Sequence, residues 1–469
     1  ILLTLCCLPG TLRSRSGDMS NLLAMAIAMS IIIAGFVVYY ATTVYGLQLW
    51  GTNESSYWGL DIPAFIYFIG LSHSGTLLSA ILLLTKSDWR KPVYRSAEAM
   101  TFFAIIAASL TLLMHVGRPW RVFYMMPYPN ERTLWTSFKS ALSWDMVAIA
   151  TYMSISGLFL VMGSIPDFAA ARDRMTGMRK KLMTVLALGW KGTDREWKNL
   201  HRAYVVLAAL LVPLAASVHS VVAWDWAITN VPGFHSTIFA PFFVAGAIYS
   251  GVAGVVIVMI IIRKTLKMQE YIKPYHIDML AKLLLAVGLI WIYITAMEVM
   301  VPWYKTSINN FEWNTLVSKL VGRWAPHYWL MVVTCGVIPL LMFKQKVRRS
   351  MGWMFLVAAS IQVGMFMERF IIIVPGQNTG YIPSRWGDFS PTWVDFTLFL
   401  ILASTVFFIL FLFFVKLVPP VSIYEVKEIL PIPKRLKGKE IEQPVEEVEE
   451  LEPITVKKKP KPQPDSGDS

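Results

Sequence analysis

Residues 238–262 read IFAPFFVAGAIYSGVAGVVIVMIII, a run without a single charge that is followed at once by Arg263-Lys264. A helix rises about 1.5 Å per residue and the hydrocarbon of a bilayer is about 30 Å thick, so a run of this length spans a membrane. The same pattern recurs at 20–48, 61–84, 97–116, 143–163, 203–228, 281–303, 326–343, 352–373 and 391–418. Lipid offers backbone groups no water, and a helix satisfies its own N–H and C=O groups, so each run reads as a helix. The expected fold is an all-α membrane protein of about ten transmembrane helices. Helices 2–5 and 6–9 are expected to form two four-helix bundles, with helices 1 and 10 flanking them.

Composition agrees. The chain of 469 residues is 55% hydrophobic and 16% charged, whereas a soluble domain has about 25% charged residues. Its net charge of +13 has a topological reading rather than a nucleic-acid one. Loops 85–96, 164–202, 263–282 and 344–351 carry 22 Lys and Arg; loops 49–60, 117–142, 229–237, 304–325 and 374–390 carry 8. Cations collect on the cytoplasmic side, so both termini are expected there. Three segments follow: an N-terminal stretch 1–19, a transmembrane domain 20–420, and a cytoplasmic tail 421–469. The tail is rich in Pro, Glu and Lys and is expected to be extended. Three cysteines, Cys6, Cys7 and Cys335, offer no metal framework, so no metal site is assigned and thiolate-held clusters belong to partners.

Ionisable groups inside a membrane are costly and mark function. Helix 3 runs outward to His115-Val116-Gly117-Arg118-Pro119, and helix 4 starts outside with Ser143-Trp144-Asp145. Helix 5 carries His219 and then Trp224-Asp225-Trp226; helix 7 carries Glu298 near its outer end. These groups are expected to converge below the outer surface, with His115 and Asp145 at similar depth. Each has a plainer explanation: Asp145 sits in a first turn, where the helix dipole favours a carboxylate, and the tryptophans suit an interfacial belt. As a set they suit a site that takes protons from a ligand at the membrane's outer edge. His73, amid Ser72, Ser74, Gly75 and Thr76, reads either as a step in a proton path or as a small-residue packing face, the latter favoured. Glu368-Arg369 reads as an internal ion pair or as part of the outer pocket. The histidines do not supply two bis-His pairs at matched depths, which argues against haem in this chain.

The stretches Gly70-Leu71-Ser72-His73-Ser74-Gly75-Thr76, His115 to Pro119, Leu142 to Asp145, Ile165-Pro166-Asp167-Phe168 with Arg172-Asp173, and His219-Ser220 to Trp224-Asp225 carry a resemblance. They resemble the NrfD/PsrC family of quinone-interacting membrane subunits and, within it, the ActC-type subunits of alternative complex III. The resemblance covers about residues 20–420. It implies a quinol-oxidising subunit of a respiratory or photosynthetic electron-transfer complex in a bacterial inner membrane. Its quinol, menaquinol or ubiquinol, would sit in a pocket of His115, Asp145, Asp225, His219, Trp144 and Arg118, with His115 and Asp145 the catalytic pair. Iron–sulfur clusters and haems would lie in partners only: c-type cytochrome subunits, an extracytoplasmic iron–sulfur subunit and a sister NrfD-like membrane subunit. A proton path through His73, Glu298 and Arg369 would accompany proton release outside. Two other readings stand beside this one: the membrane anchor of a molybdenum reductase, and a secondary transporter. The transporter reading wants matched Gly/Pro-broken helices at midplane, which the sequence lacks.

Overall fold

The computed structural model describes residues 15–125, 141–234, 238–305 and 311–429. The helices are, in order, α1 (Arg15–Tyr45), α2 (Asp61–Leu84), α3 (Tyr94–His115), α4 (Ala141–Arg172), a short α5 (Gly177–Leu186), α6 (Asp194–Ala227) and α7 (Phe239–Thr265). Then come α8 (Pro274–Tyr304), a short α9 (Phe311–Leu320), α10 (Ala325–Phe343), α11 (Met351–Asn378), α12 (Trp393–Leu417) and a short α13 (Ile423–Ile429). Among the described residues, ten of these are long and apolar enough to cross a membrane: all except α5, α9 and α13.

The first bundle is the ring α2, α3, α4 and α6; the second is α7, α8, α10 and α11. They meet where α2 packs on α7 and α11, and α6 on α7. The flanking helix α1 packs on α12, and α12 packs on α3. In lipid the apolar effect gives helices no reason to prefer each other over acyl chains, so close backbone approach through small residues holds such bundles together. A Cβ on Gly75 would lie 2.2 Å from the Ala97 carbonyl oxygen of α3, and one on Gly251 would lie 1.5 Å from Ser74 Oγ. The small residues around His73 therefore serve as a packing face.

Local chemistry sets the helix ends. Thr193 and Glu196 form a reciprocal cap: the Glu196 N–H donates to Thr193 Oγ1 at 3.4 Å and the Thr193 N–H to Glu196 Oε2 at 3.0 Å. This starts α6 at Asp194, nine residues before its apolar run. The α3 helix stops at His115 because Gly117 takes a left-handed φ of 68°.

The last described residues differ from the expected extended tail. Residues 421–429 turn back and dock on the first bundle. The Ser96 hydroxyl donates to the Pro420 carbonyl at 2.6 Å, the Ile423 N–H to Asp167 Oδ2 at 3.1 Å, and Arg90 pairs with Glu425 at 2.9 Å. Val421 and Val426 are buried, which supplies the apolar reason for docking. The rest of the expected tail, 430–469, lies outside the described residues, as do Cys6, Cys7 and the loop histidine His235.

Candidate functional site

Alternating helix direction brings four acid–base groups to one end of the first bundle. Asp61 opens α2, His115 closes α3, Asp145 lies in the second turn of α4 and Asp225 in the last turn of α6. They form two pairs. His115 Nδ1 lies 2.5 Å from Asp61 Oδ2. Asp61 is 1% exposed, and its other oxygen accepts the Gly59 N–H at 2.7 Å, so the carboxylate is fixed from both sides. The His115 side chain keeps 29% of its exposure. The carboxyls of Asp145 and Asp225 are close neighbours. Asp145 is 3% exposed and Asp225 half-buried.

Three buried polar atoms beside these pairs have no hydrogen-bond partner among the described residues: Asp145 Oδ1, Asp225 Oδ1 and Trp226 Nε1. Buried polar atoms are nearly always paired, so three on one rim mark a place that receives a polar ligand or water. The same end of the helices carries an aromatic cluster. Trp226 stacks on Phe243 at 5.6 Å between ring centroids and meets Trp58 at 6.1 Å. Trp144 and Arg118 are exposed on the surface of this end.

The histidine and carboxylate expected to work as one pair thus have different partners. The sequence reading missed Asp61, although the signal was present: the first residue of helix 2 must lie level with the last residue of helix 3. His219 also departs from expectation. It lies six residues before Asp225, about 9 Å along the helix, and belongs to a deeper cluster. Its ring is 4.7 Å from that of His73, which stacks on Tyr152 at 4.5 Å. Both histidines are buried, His73 Nδ1 lies 2.6 Å from the Ile69 carbonyl oxygen, and the interval between the two rings is too narrow to admit a porphyrin.

Glu298 does not join the rim of the first bundle. It lines a cavity of about 100 Å³ at the same end of the second bundle, together with Glu312, Lys319, Tyr328, Glu368 and Phe242. Burial pulls the Lys319 ammonium below its ordinary range, and Glu298 opposes that shift. Glu368 accepts from Trp291 Nε1 and pairs with Arg369. The Arg369 guanidinium sits 5.4 Å over the Phe243 ring, and a Cβ on Gly246 of α7 would meet its Nη2 at 2.8 Å. Arg369 therefore bridges the second bundle's cavity and the His73–His219 cluster of the first.

Residues 48–381 match the family described as polysulphide reductase, NrfD. The chain belongs to this family. The matched region takes in both bundles and leaves α1 and α12 outside. Among curated proteins, this NrfD chain is 23% identical over 350 residues to a putative dimethyl sulfoxide reductase membrane subunit of Halobacterium salinarum, covering 74% of this chain and 75% of the relative. It is 22% identical over 365 residues to the Hdr-like menaquinol oxidoreductase integral membrane subunit of Archaeoglobus fulgidus, covering 77% and 81%. It is 25% identical over 347 residues to protein NrfD of Escherichia coli, covering 70% and 96%. The chain is a multi-pass membrane protein, and two of these relatives are named as membrane subunits.

Proposed function

We propose that this NrfD chain oxidises quinol at the end of the first bundle and passes the electrons to an iron–sulfur subunit bound over that end. The observation that carries the reading is the paired arrangement of Asp61–His115 and Asp145–Asp225 beside unpartnered polar atoms, with an aromatic cluster at the same end of the helices. A quinol loses two electrons and two protons to become a quinone. Loss of the first electron makes the hydroxyls strongly acidic, so bases must stand ready. With Nδ1 turned to Asp61, His115 presents Nε2 as the acceptor, and the buried carboxylate stabilises the imidazolium that forms. The neighbouring carboxyls of Asp145 and Asp225 offer a second place for a proton. The aromatic cluster suits the flat quinone ring.

The surrounding complex follows the same reading. On this reading the cation-rich loops face the cytoplasm of a bacterial inner membrane, with both termini, and the quinol site faces outside. An ActC-type place in alternative complex III would add c-type cytochrome subunits and a sister NrfD-like subunit. A molybdenum-reductase anchor is a second reading, favoured by the dimethyl sulfoxide reductase name among the relatives. Both use the same quinol chemistry and differ in the soluble subunits. Molybdenum content and c-type haem absorbance of the purified complex separate them. The quinol reading itself is tested by turnover of a soluble quinol analogue. Asp225→Asn should lower the rate by about 10²-fold or more, in line with loss of general-base catalysis; unchanged turnover contradicts the site.

We also place a proton path through His73, His219, Arg369, Glu368 and Glu298. Support comes from the unpartnered buried atoms His73 Nε2, both His219 ring nitrogens and Arg369 Nη2, which line one seam between the bundles. His73→Ala should keep quinol oxidation and lose proton translocation in proteoliposomes. Unchanged proton stoichiometry rejects the path.

A further inference from the structure

At the other end of the first bundle, away from the proposed quinol site, a cavity of about 710 Å³ opens where α2 ends and α6 begins. Its wall combines the apolar Leu83, Leu200 and Trp197 with the cationic Lys86, Lys198 and Arg202. Two further cations in the lining are already matched: Arg90 by Glu425 at 2.9 Å and Lys91 by Asp88 at 3.3 Å. Lys86, Lys198 and Arg202 have no carboxylate partner among the described residues. Three uncompensated cations thus face one concave space. Such a space attracts phosphate, and the apolar side chains call for a ligand with an apolar body as well.

Depth decides between ligands. Leu84 is the last residue of α2, so Lys86 lies just past the apolar span. On α6 the apolar run begins at 203, so Arg202 and Lys198 lie within its last turn and a half before lipid. The cations therefore stand at headgroup level, Leu200 and Trp197 beside them, and Leu83 at the top of the acyl layer. Trp197, 36% exposed and 5.3 Å from the Tyr424 ring, suits the same interfacial level. By the distribution of cations this is also the cytoplasmic side, where anionic lipids are held by basic pockets between helices.

We propose that this cavity binds the phosphate headgroup of an anionic phospholipid, with Lys86, Lys198 and Arg202 on the phosphate, Trp197 and Leu200 against the headgroup and glycerol, and Leu83 at the upper acyl chain. The bound lipid joins α2, α6 and the docked segment 421–429, since Tyr424 and Glu425 also line the space.

The test uses the complex purified in mild detergent, stripped of lipid, and given phosphatidylglycerol, phosphatidylcholine or inorganic phosphate alone. Retained lipid is counted by native mass spectrometry and the thermal midpoint is read in parallel. Phosphatidylglycerol should bind and raise the midpoint, phosphatidylcholine should do neither, and K86Q/K198Q/R202Q should weaken phosphatidylglycerol binding about tenfold or more. The set K264Q/K267Q/K346Q, with equal charge loss on the same side, should behave as wild type. A single charge reversal, Lys198→Glu, gives a second variant with the same expected direction. Equal retention of the two lipids, or equal loss in both triple variants, overturns the proposal. A midpoint rise with inorganic phosphate matching that with phosphatidylglycerol overturns the lipid assignment in favour of a free anion.

Discussion

His115 and Asp61 explain each other. A histidine at the end of a membrane helix has two nitrogens to satisfy, and a buried carboxylate needs a donor; at 2.5 Å each supplies the other's need. The arrangement fixes the tautomer and leaves Nε2 for a ligand. Asp61→Asn keeps the shape but loses the charge that steadies an imidazolium, so quinol-analogue turnover should fall about 10- to 100-fold at an unchanged thermal midpoint. A role confined to holding the helix ends together would lower the midpoint instead. His115 and Asp145 were legible in the sequence because helix direction alone puts them at one end. Asp225 was legible as a pocket residue too, but Asp61 and the way the four groups pair were not, because pairing depends on rotation about each helix axis, and the nearly uniform apolar character of α2 and α4 gives no stripe to orient them. His219 was misplaced for a related reason: its depth had to be reckoned in residues from Asp225, and it falls level with His73 instead.

Individual elements are held by backbone contacts that a hydropathy reading does not register. The approach of α2 to α3 leaves no room for a methyl group at Gly75, because the nearest atom is the Ala97 carbonyl oxygen, which cannot turn aside. Gly75→Ala should lower stability by about 1–3 kcal/mol through overpacking, read as a lower thermal midpoint in detergent. Gly352→Ala, where nothing lies within 4 Å, should leave the midpoint in place. A second device sits in α10. Pro339 has no N–H, so the Cys335 carbonyl four residues earlier loses its usual donor, and the helix widens over Val332–Val337. The Tyr249 hydroxyl fills the gap at 2.9 Å. Tyr249→Phe should strand that buried carbonyl and cost about 1–3 kcal/mol, seen again in the thermal midpoint. The proline was visible in the sequence; the helix that answers it was not.

Across the described residues, two polar ends flank a largely apolar middle that one ionisable seam crosses. At the end opposite the rim, Arg95 and Asp167 form a buried ion pair at 3.0 Å, with Arg95 also donating to the Gly163 carbonyl at 2.6 Å. Asp167 in turn receives the Ile423 N–H, so one carboxylate ties α3, α4 and the segment after α12. Removing one partner of a buried pair leaves the other charge uncompensated; Arg95→Ala should cost about 3–5 kcal/mol and make the 421–429 segment accessible to limited proteolysis. The bundle plan itself was legible from run lengths and loop charge, since spans of about 20 apolar residues have few other fates. The docking of 421–429 was not, because so short a segment, with two valines set among two glutamates and a lysine, carries no periodic signal. The account turns on the rim of the first bundle receiving a quinol. The most direct measurement is binding of a quinol-site analogue to the intact purified complex, for wild type, His115→Ala and Asp145→Asn, by titration calorimetry. Weakened or absent binding in both variants, with native thermal midpoints, is the predicted result; wild-type affinity in both would contradict it.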